Sequence, residues 1–166
     1  MASEHIYKQF DSDLEAIRAK VLEMGTLVEE QTANAVKSLL NTDIKLAEEV
    51  MKRDVQINDL EVAIDEETSL LIAKRSPAAG DLRNIMMMLK IITDLERMGD
   101  EAAKIARSTT RIFEDNRMSK PRFTEIKGMA KAVQGMIKTA LNSFARLDLS
   151  DTIDILEKDK QVDDDY

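Results

Sequence analysis

The sequence contains no cysteine, so it has neither a disulfide framework nor thiolate ligands for a metal. Only five glycines and two prolines interrupt its 166 residues, and aromatic residues make up 4% of them. This composition is unfavourable for a sheet rich in turns and aromatic pairs, and it favours helices. The most apolar stretch, 85–92, contains Lys90 and is too short to cross a bilayer.

Basic charge is also scarce. The 24 Lys and Arg residues stand against 32 Asp and Glu residues, which gives a net charge of −8. Such a balance argues against nucleic acid as a partner and against docking on an anionic membrane. His5 is the single histidine, and its place near a terminus predicts a surface residue. The first ten residues lack the regions of a signal peptide, so we expect a soluble, cytoplasmic protein without membrane insertion.

An apolar stripe with alternating steps of four and three residues runs through the first segment. Its members are Phe10, Leu14, Ile17, Val21, Met24, Val28, Gln31 and Ala35. This spacing predicts a helix over about 7–41 that packs against neighbours in coiled-coil style.

Caps and breakers delimit two further long helices. The second is predicted over about 43–75, with Thr42 as its N-cap and an end before Ser76 and Pro77. The third is predicted over about 81–115. Its core face is expected to contain Leu82, Ile85, Met86, Leu89 and Ile92. The run of three methionines at 86–88 is interpreted as core and not as a groove for a partner.

The rest of the chain is predicted to hold a linker, 116–121, and two helices, over about 121–147 and from 151 to the end. Segment 21–61 aligns with 126–166 without a gap, and both the apolar stripe and the acidic end correspond. Shared helical periodicity alone is the alternative to duplication. With duplication, the second unit stops inside its second helix, so we expect a truncated repeat with an unpaired apolar stripe over 121–166. The predicted fold class is all-α, an antiparallel helical bundle.

Carboxylates collect on two of these helices. Helix 2 carries four polar residues on one face, in steps of four, three and four: Asp54, Asn58, Glu61 and Asp65. Helix 3 carries three acidic residues: Asp94, Glu96 and Asp100. Because a short loop near Pro77 joins the helices, the two sets are expected to meet. They repel one another unless Arg53 and Arg97 neutralise them or a hard cation such as Mg²⁺, Mn²⁺ or iron bridges them. A solvated face with surface ion pairs is the alternative interpretation.

No other chemistry is evident. The sequence has no P-loop, no nucleophile–base pair, and no Glu-x-x-His motif of the kind that builds a di-iron centre. An enzyme that uses the carboxylates as acid and base would lack a second chemical group. We therefore predict that the protein is not an enzyme.

Several spaced motifs resemble those of the PhoU family. They lie in 53–107 and comprise INDLEVAID, LIAKRSPAAGDLR and DLERMGDEAAKIAR. The resemblance implies two similar three-helix bundles, of which 7–115 would form the first and 116–166 part of the second. It also implies metal binding through E(D)xxxD motifs, carried here by Glu61 with Asp65 and by Glu96 with Asp100. Asp54, Asn58 and Asp94 are added from spacing.

The family resemblance also implies a function. It predicts a negative regulator of phosphate uptake and of the phosphate-starvation response. Such a protein acts as a metal-binding adaptor between the phosphate ABC transporter and a PhoR-type sensor kinase, often as a homodimer. The alternative is a structural helical scaffold whose carboxylates bind no metal.

Overall fold

The computed structural model describes residues 2–114 and 124–165. Within them lie five helices: α1 Ala2–Asn41, α2 Ile44–Arg75, α3 Ala79–Glu114, α4 Thr124–Arg146 and α5 Thr152–Asp165. The prediction of an all-helical chain is confirmed. The predicted linker 116–121, and the predicted helix ends at Asp115, Pro121 and Tyr166, lie outside the described residues. The division into a first and a partial second repeat stays a prediction.

Helices α1, α2 and α3 pack pairwise into an antiparallel three-helix bundle. The heptad prediction for α1 is confirmed, since its stripe from Phe10 to Ala35 faces the interior. One core cluster of large side chains fills the middle of the bundle. A second cluster closes the far end with small residues, which let the helices approach closely: Ala35, Ala47, Val50, Ala102 and Ala106.

The turns between these helices follow from local chemistry. Helix α2 begins after Asp43, whose side chain accepts a hydrogen bond of 3.0 Å from the backbone N–H of Leu46. The prediction of Thr42 as the N-cap is therefore wrong. Thr42 has a left-handed φ of 58° and belongs to the turn that ends α1. The predicted end before Pro77 is confirmed, with Ser76 as a left-handed C-cap.

The core face of α3 is rotated relative to the prediction. Its buried side chains include Ile85, Met88, Ile92 and Leu95. Leu82 and Met86 lie to one side of this stripe and are 37% and 47% exposed, so their assignment to the core is wrong. The methionine run is split by the same helical geometry, because neighbouring residues point about 100° apart. Only Met88 of the three is buried.

Helix α4 packs against α1, and α5 packs against α4. Ile137 is buried in this contact and Phe144 packs against the main core. The expectation that the whole stripe of 121–166 lacks a partner is therefore wrong for α4. On α5, which packs against α4, Ile153 and Leu156 are still 68% and 63% exposed.

Candidate functional site

The groove between α2 and α3 brings acidic side chains of both helices together. Four carboxylates that face it are partly buried: Asp54, Glu61, Glu96 and Asp100. The helices run antiparallel here, and Gly99 of α3 lies against Ile57 of α2. The hairpin thus brings two members of each predicted set to the groove, Asp54 and Glu61 from α2 and Glu96 and Asp100 from α3.

Their proximity has an electrostatic consequence at Glu96. Burial raises the pKa of the Glu96 carboxyl above its ordinary value, and the charges of Asp100, Glu61 and Asp54 raise it further. Arg97 opposes this shift only weakly. The carboxylates therefore repel one another across the groove, and the charge of Glu96 is destabilised there.

The two arginines expected to neutralise the groove lie elsewhere. Arg97 pairs with Asp94 on its own helix at 4.0 Å, and both side chains are largely exposed. Arg53 lines a small cavity between α1 and α2. Among the side chains that the structure describes, 9–113 and 124–164, no ion pair within 4.0 Å engages the four groove carboxylates. The described basic side chains therefore form no direct ion pair with the groove.

Three other predicted site residues take different positions. Asn58 and Asp65 lie on α2 beside the groove and are exposed. Asp94 lines a second groove, which runs between α1, α3 and α4 and also contains Met98 and Ile137. Because Asp94 precedes Glu96 by two residues, it points about 200° away from it around the helix.

The donor chemistry of the acidic groove fits a hard cation, since it offers carboxylate oxygens from two facing helices. The part of the chain that the structure describes contains no group of three or more His, Asp or Glu side chains already arranged to hold a metal ion. As they stand, the groove carboxylates do not form such a group. The structure describes the backbone of His5 in α1 and not its side chain, so its surface position stays a prediction.

One polar contact at the groove was not predicted. Gln31 occupies a core position of α1, and its side-chain amide donates hydrogen bonds to the carboxylate of Asp54 and to the carbonyl of Gly99. The available signal was a polar amide at a heptad position between Val28 and Ala35. In the sequence it was counted only as a member of the stripe.

Fold and groove together define the class: an antiparallel helical-bundle protein with an acidic groove between two helices of its main bundle. The family model for the PhoU domain matches residues 21–109. The chain belongs to the PhoU family. No helix in the described ranges combines the length and apolar character needed to cross a membrane.

Curated relatives and solved structures agree with this assignment. The chain is 42% identical over 165 residues to the phosphate-specific transport system accessory protein PhoU homolog of Pseudomonas aeruginosa, covering 99% of this chain and 67% of that relative. It is 38% identical over 164 residues to the phosphate-specific transport system accessory protein PhoU of Escherichia coli K12, with 99% and 67% covered. The chain thus spans about two thirds of the length of these relatives.

Two crystal structures show the same fold. That of PhoU from Pseudomonas aeruginosa matches with a TM-score of 0.90 at 41% identity, over 95% of this chain and 75% of that one. That of the phosphate transport system regulatory protein PhoU from Streptococcus pneumoniae gives a TM-score of 0.85 at 30% identity, over 95% and 73%. The predicted PhoU-like helical bundle is confirmed.

Proposed function

We propose that this chain is a negative regulator of phosphate uptake and of the phosphate-starvation response. It acts as an adaptor between the phosphate ABC transporter and a PhoR-type sensor kinase. The observation that carries the proposal is the match over 99% of the chain to relatives named as accessory proteins of phosphate-specific transport. A cytoplasmic location and a homodimer belong to the same proposal, as does the absence of enzymatic activity.

The acidic groove gives this adaptor its proposed cofactor, a divalent or ferric ion such as Mg²⁺, Mn²⁺ or Fe³⁺. Glu61 and Asp65 of α2 would hold the ion together with Glu96 and Asp100 of α3, and Asp54 would assist. A bound cation supplies positive charge that offsets the repulsion evident in the raised pKa of Glu96. The carboxylates would then join α2 to α3 and present one defined face to a partner. Asp94 is left out of this set because it lines the other groove.

The second candidate function is a helical scaffold without metal. It is favoured by one observation, that no described group of three or more His, Asp or Glu side chains is already arranged for a metal. In that case the groove carboxylates would only be solvated. The two candidates differ in what cations do to the protein.

One set of variants tests both parts of the proposal: wild type, the double variant Glu96→Gln/Asp100→Asn, and the control Asp94→Asn on the same helix. The first readout is thermal unfolding of metal-stripped protein with Mg²⁺, Mn²⁺, Fe³⁺ or no metal. A ligand that binds only the folded state stabilises it by about 2.7 kcal/mol at a hundred times its Kd. We expect such a gain with one of the ions for wild type and Asp94→Asn, and its loss in the double variant.

The second readout is a phosphate-starvation reporter in a bacterium that lacks its own PhoU. We expect wild type and Asp94→Asn to repress the reporter in high phosphate, and the double variant to repress it poorly. Repression without any cation-dependent stabilisation would support the metal-free scaffold. A reporter that stays active despite folded wild-type protein would contradict the adaptor role itself.

A further inference from the structure

Large apolar side chains are concentrated on the surface of segment 147–156. Leu147 is 67% exposed, Leu149 81%, Ile153 68% and Leu156 63%, and these four residues are named the outer patch. Ile153 and Leu156 share one face of α5, because residues three apart on a helix are neighbours. Ile155 points about 200° away from Ile153 and is partly buried, so α5 is apolar on two sides. Exposed apolar side chains grouped in this way mark interaction sites on soluble proteins.

The backbone of Leu147 is a separate observation at the same place. Its φ of 53° is left-handed, a conformation in which the Cβ of a leucine is crowded. The residue ends α4, where the N–H of Asp148 donates to the Ser143 carbonyl at 3.0 Å, and glycine is the usual residue at such a position. Packing within the chain does not offset this strain, since the Leu147 side chain is exposed. The strained leucine therefore supports a role for its side chain outside the fold of this chain.

Negative charge surrounds the outer patch on α5. The helix carries six acidic and two basic residues. Asp154 directly follows Ile153 in the sequence, Glu157 directly follows Leu156, and both carboxylates are exposed. The apolar face of α5 is thus accompanied by carboxylates along its length.

The turn before α5 contributes charge of the same sign. Asp148 accepts hydrogen bonds from the backbone N–H and the hydroxyl of Ser150, at 3.0 and 2.8 Å. These bonds hold the pKa of the Asp148 carboxyl below its ordinary value, so this group is charged at neutral pH. Arg146, the basic residue beside the turn, is engaged by Asp151 at 2.7 Å. The rim of the outer patch is therefore acidic on both the turn and the helix.

This acidic rim selects among the molecules that could cover the patch. A second copy would bring two acidic α5 helices together, and an anionic membrane or a nucleic acid would meet like charge as well. A surface that carries apolar side chains between Lys and Arg residues complements both the patch and its rim.

We propose that the outer patch is a docking surface for an amphipathic helix of a partner protein, with basic residues on both sides of the helix's apolar stripe. The inference rests on the proposed adaptor function, because an adaptor needs a surface for at least one partner. Apolar side chains of the partner helix cover Ile153 and Leu156 in the manner of helix-to-helix recognition. Its Lys and Arg residues face the carboxylates of the rim, which fix the orientation of the helix and speed its association.

The test measures binding of a fluorescently labelled synthetic peptide to the full chain by anisotropy. The peptide has about 21 residues, enough for several helical turns, with leucines at alternating steps of four and three and lysines on both flanks. Ile153→Gln/Leu156→Gln makes the exposed face of α5 polar without touching the core. The matched control Val55→Gln/Val62→Gln removes two apolar side chains of α2 that are 58% and 54% exposed. We expect the α5 variant to bind about 10-fold more weakly or worse, and the control to bind as wild type does.

Two further measurements separate this surface from attraction by net charge and from self-association. A peptide with glutamate in place of lysine should bind the wild-type chain weakly, because it meets the acidic rim. Equal affinity of wild type and the α5 variant for the lysine peptide, or equal loss in the α2 control, overturns the inference. In sedimentation velocity of the chain alone, a wild-type dimer that the α5 variant converts to a monomer would assign the patch to a second copy and overturn it too.

The phosphate-starvation reporter distinguishes failure of this inference from failure of the proposed function. We expect the α5 variant to repress poorly and the α2 control to repress as wild type does. Full repression by the folded α5 variant overturns the inference and leaves the adaptor role intact. Folded wild-type protein that does not repress contradicts the adaptor role, and the peptide affinities then decide the role of the patch by themselves.

Discussion

The α1–α3 bundle and the α4–α5 pair are held by different means. In the bundle each helix contacts two others, and large side chains such as Met24, Ile64 and Ile92 are 0–1% exposed. Helix α4 contacts the bundle through α1, and α5 reaches it only through α4 in the described ranges. In the turn after α4 and in α5, four large apolar side chains are more than 60% exposed: Leu147, Leu149, Ile153 and Leu156.

Specific contacts compensate for the smaller interface of α4. Arg18 of α1 donates to the carbonyls of Phe144 and Ala145 at 2.9 and 2.7 Å, which satisfies acceptors at the C-terminal end of α4. Its guanidinium also lies 5.6 Å from the centroid of the Phe144 ring. The bundle is therefore stabilised by burial on several sides, whereas α4 depends on one face and a few polar contacts. We therefore expect α4 and α5 to open before the bundle does.

The largest effect should come from truncating the bundle core. Ile64→Ala removes a fully buried side chain, and we expect it to lower the free energy of unfolding by about 3 kcal/mol. Leu156→Ala on α5 removes a similar volume from an exposed position and should cost about 0.5 kcal/mol or less. Urea unfolding of both variants measures the contrast. A comparable loss in Leu156→Ala would contradict the difference between the two regions, because it would mean that another surface covers α5.

A smaller effect is expected where α4 meets α1. A Cβ at Gly25 would collide with the side chain of Leu141, so Gly25→Val should disturb this contact at a cost of about 2 kcal/mol. Amide hydrogen exchange should show faster exchange in α4 and α5, with protection retained in α2 and α3.

Gly135→Ala is the matched control, since nothing lies within 4 Å of a Cβ at that exposed position of α4. Alanine is favoured over glycine inside a helix by about 0.5–1 kcal/mol, so this variant should stabilise α4. Loss of protection across the whole chain in Gly25→Val would show that α4 and the bundle open as one unit.

The sequence was sufficient to predict some features of the molecule and not others. The bundle was predictable because its heptad repeats over many turns and Pro77 ends α2 abruptly. The meeting of Glu61 with Glu96 followed from the antiparallel hairpin alone. The rotation of α3 did not, because Leu82 and Met86 are as apolar as the residues that are buried. Which apolar flank of α3 faces inward depends on its packing against α1 as well as against α2.

The position of the candidate groove was predictable to the same degree. Membership of Glu96 and Asp100 in one groove needs only their spacing of four residues. The different direction of Asp94 also follows from spacing, since two residues along a helix correspond to about 200° of rotation, whereas the second groove that Asp94 lines depends on the docking of α4. Docking of α4 itself was missed, since it depends on Gly25 and Arg18 of α1, which carry no periodic signal. The contacts of Gln31 were missed because its hydrogen-bond partners, Asp54 and Gly99, lie on other helices, and the sequence alone does not show which residues of those helices face it.

The smallest expected effect concerns the negative charge of Glu96 in the acidic groove of the α1–α3 bundle. Burial, with Asp100, Glu61 and Asp54, raises the pKa of Glu96, so the folded chain holds this proton more tightly than the unfolded chain does. Well below pH 4.5, the ordinary pKa of the group, both states are protonated and nothing is lost. As pH rises through the raised pKa, the folded state loses stability. Glu96→Gln should therefore stabilise the metal-free protein at pH 7, by about 0.5 kcal/mol for a partly exposed group with like-charged neighbours.

The gain should shrink toward zero as the pH falls to 4, and urea unfolding at both values measures it. Asp94→Asn is the control, because its exposed carboxylate pairs with Arg97 outside the groove, and it should show no such gain. An equal gain at both pH values would mean that Glu96 is unfavourable for reasons of packing and not of charge. The predicted sign implies that the bundle carries its groove carboxylates at a cost to its own stability. Burial is spread over three helices, so the bundle can tolerate this cost, whereas α4, held on one face, has less stability to lose.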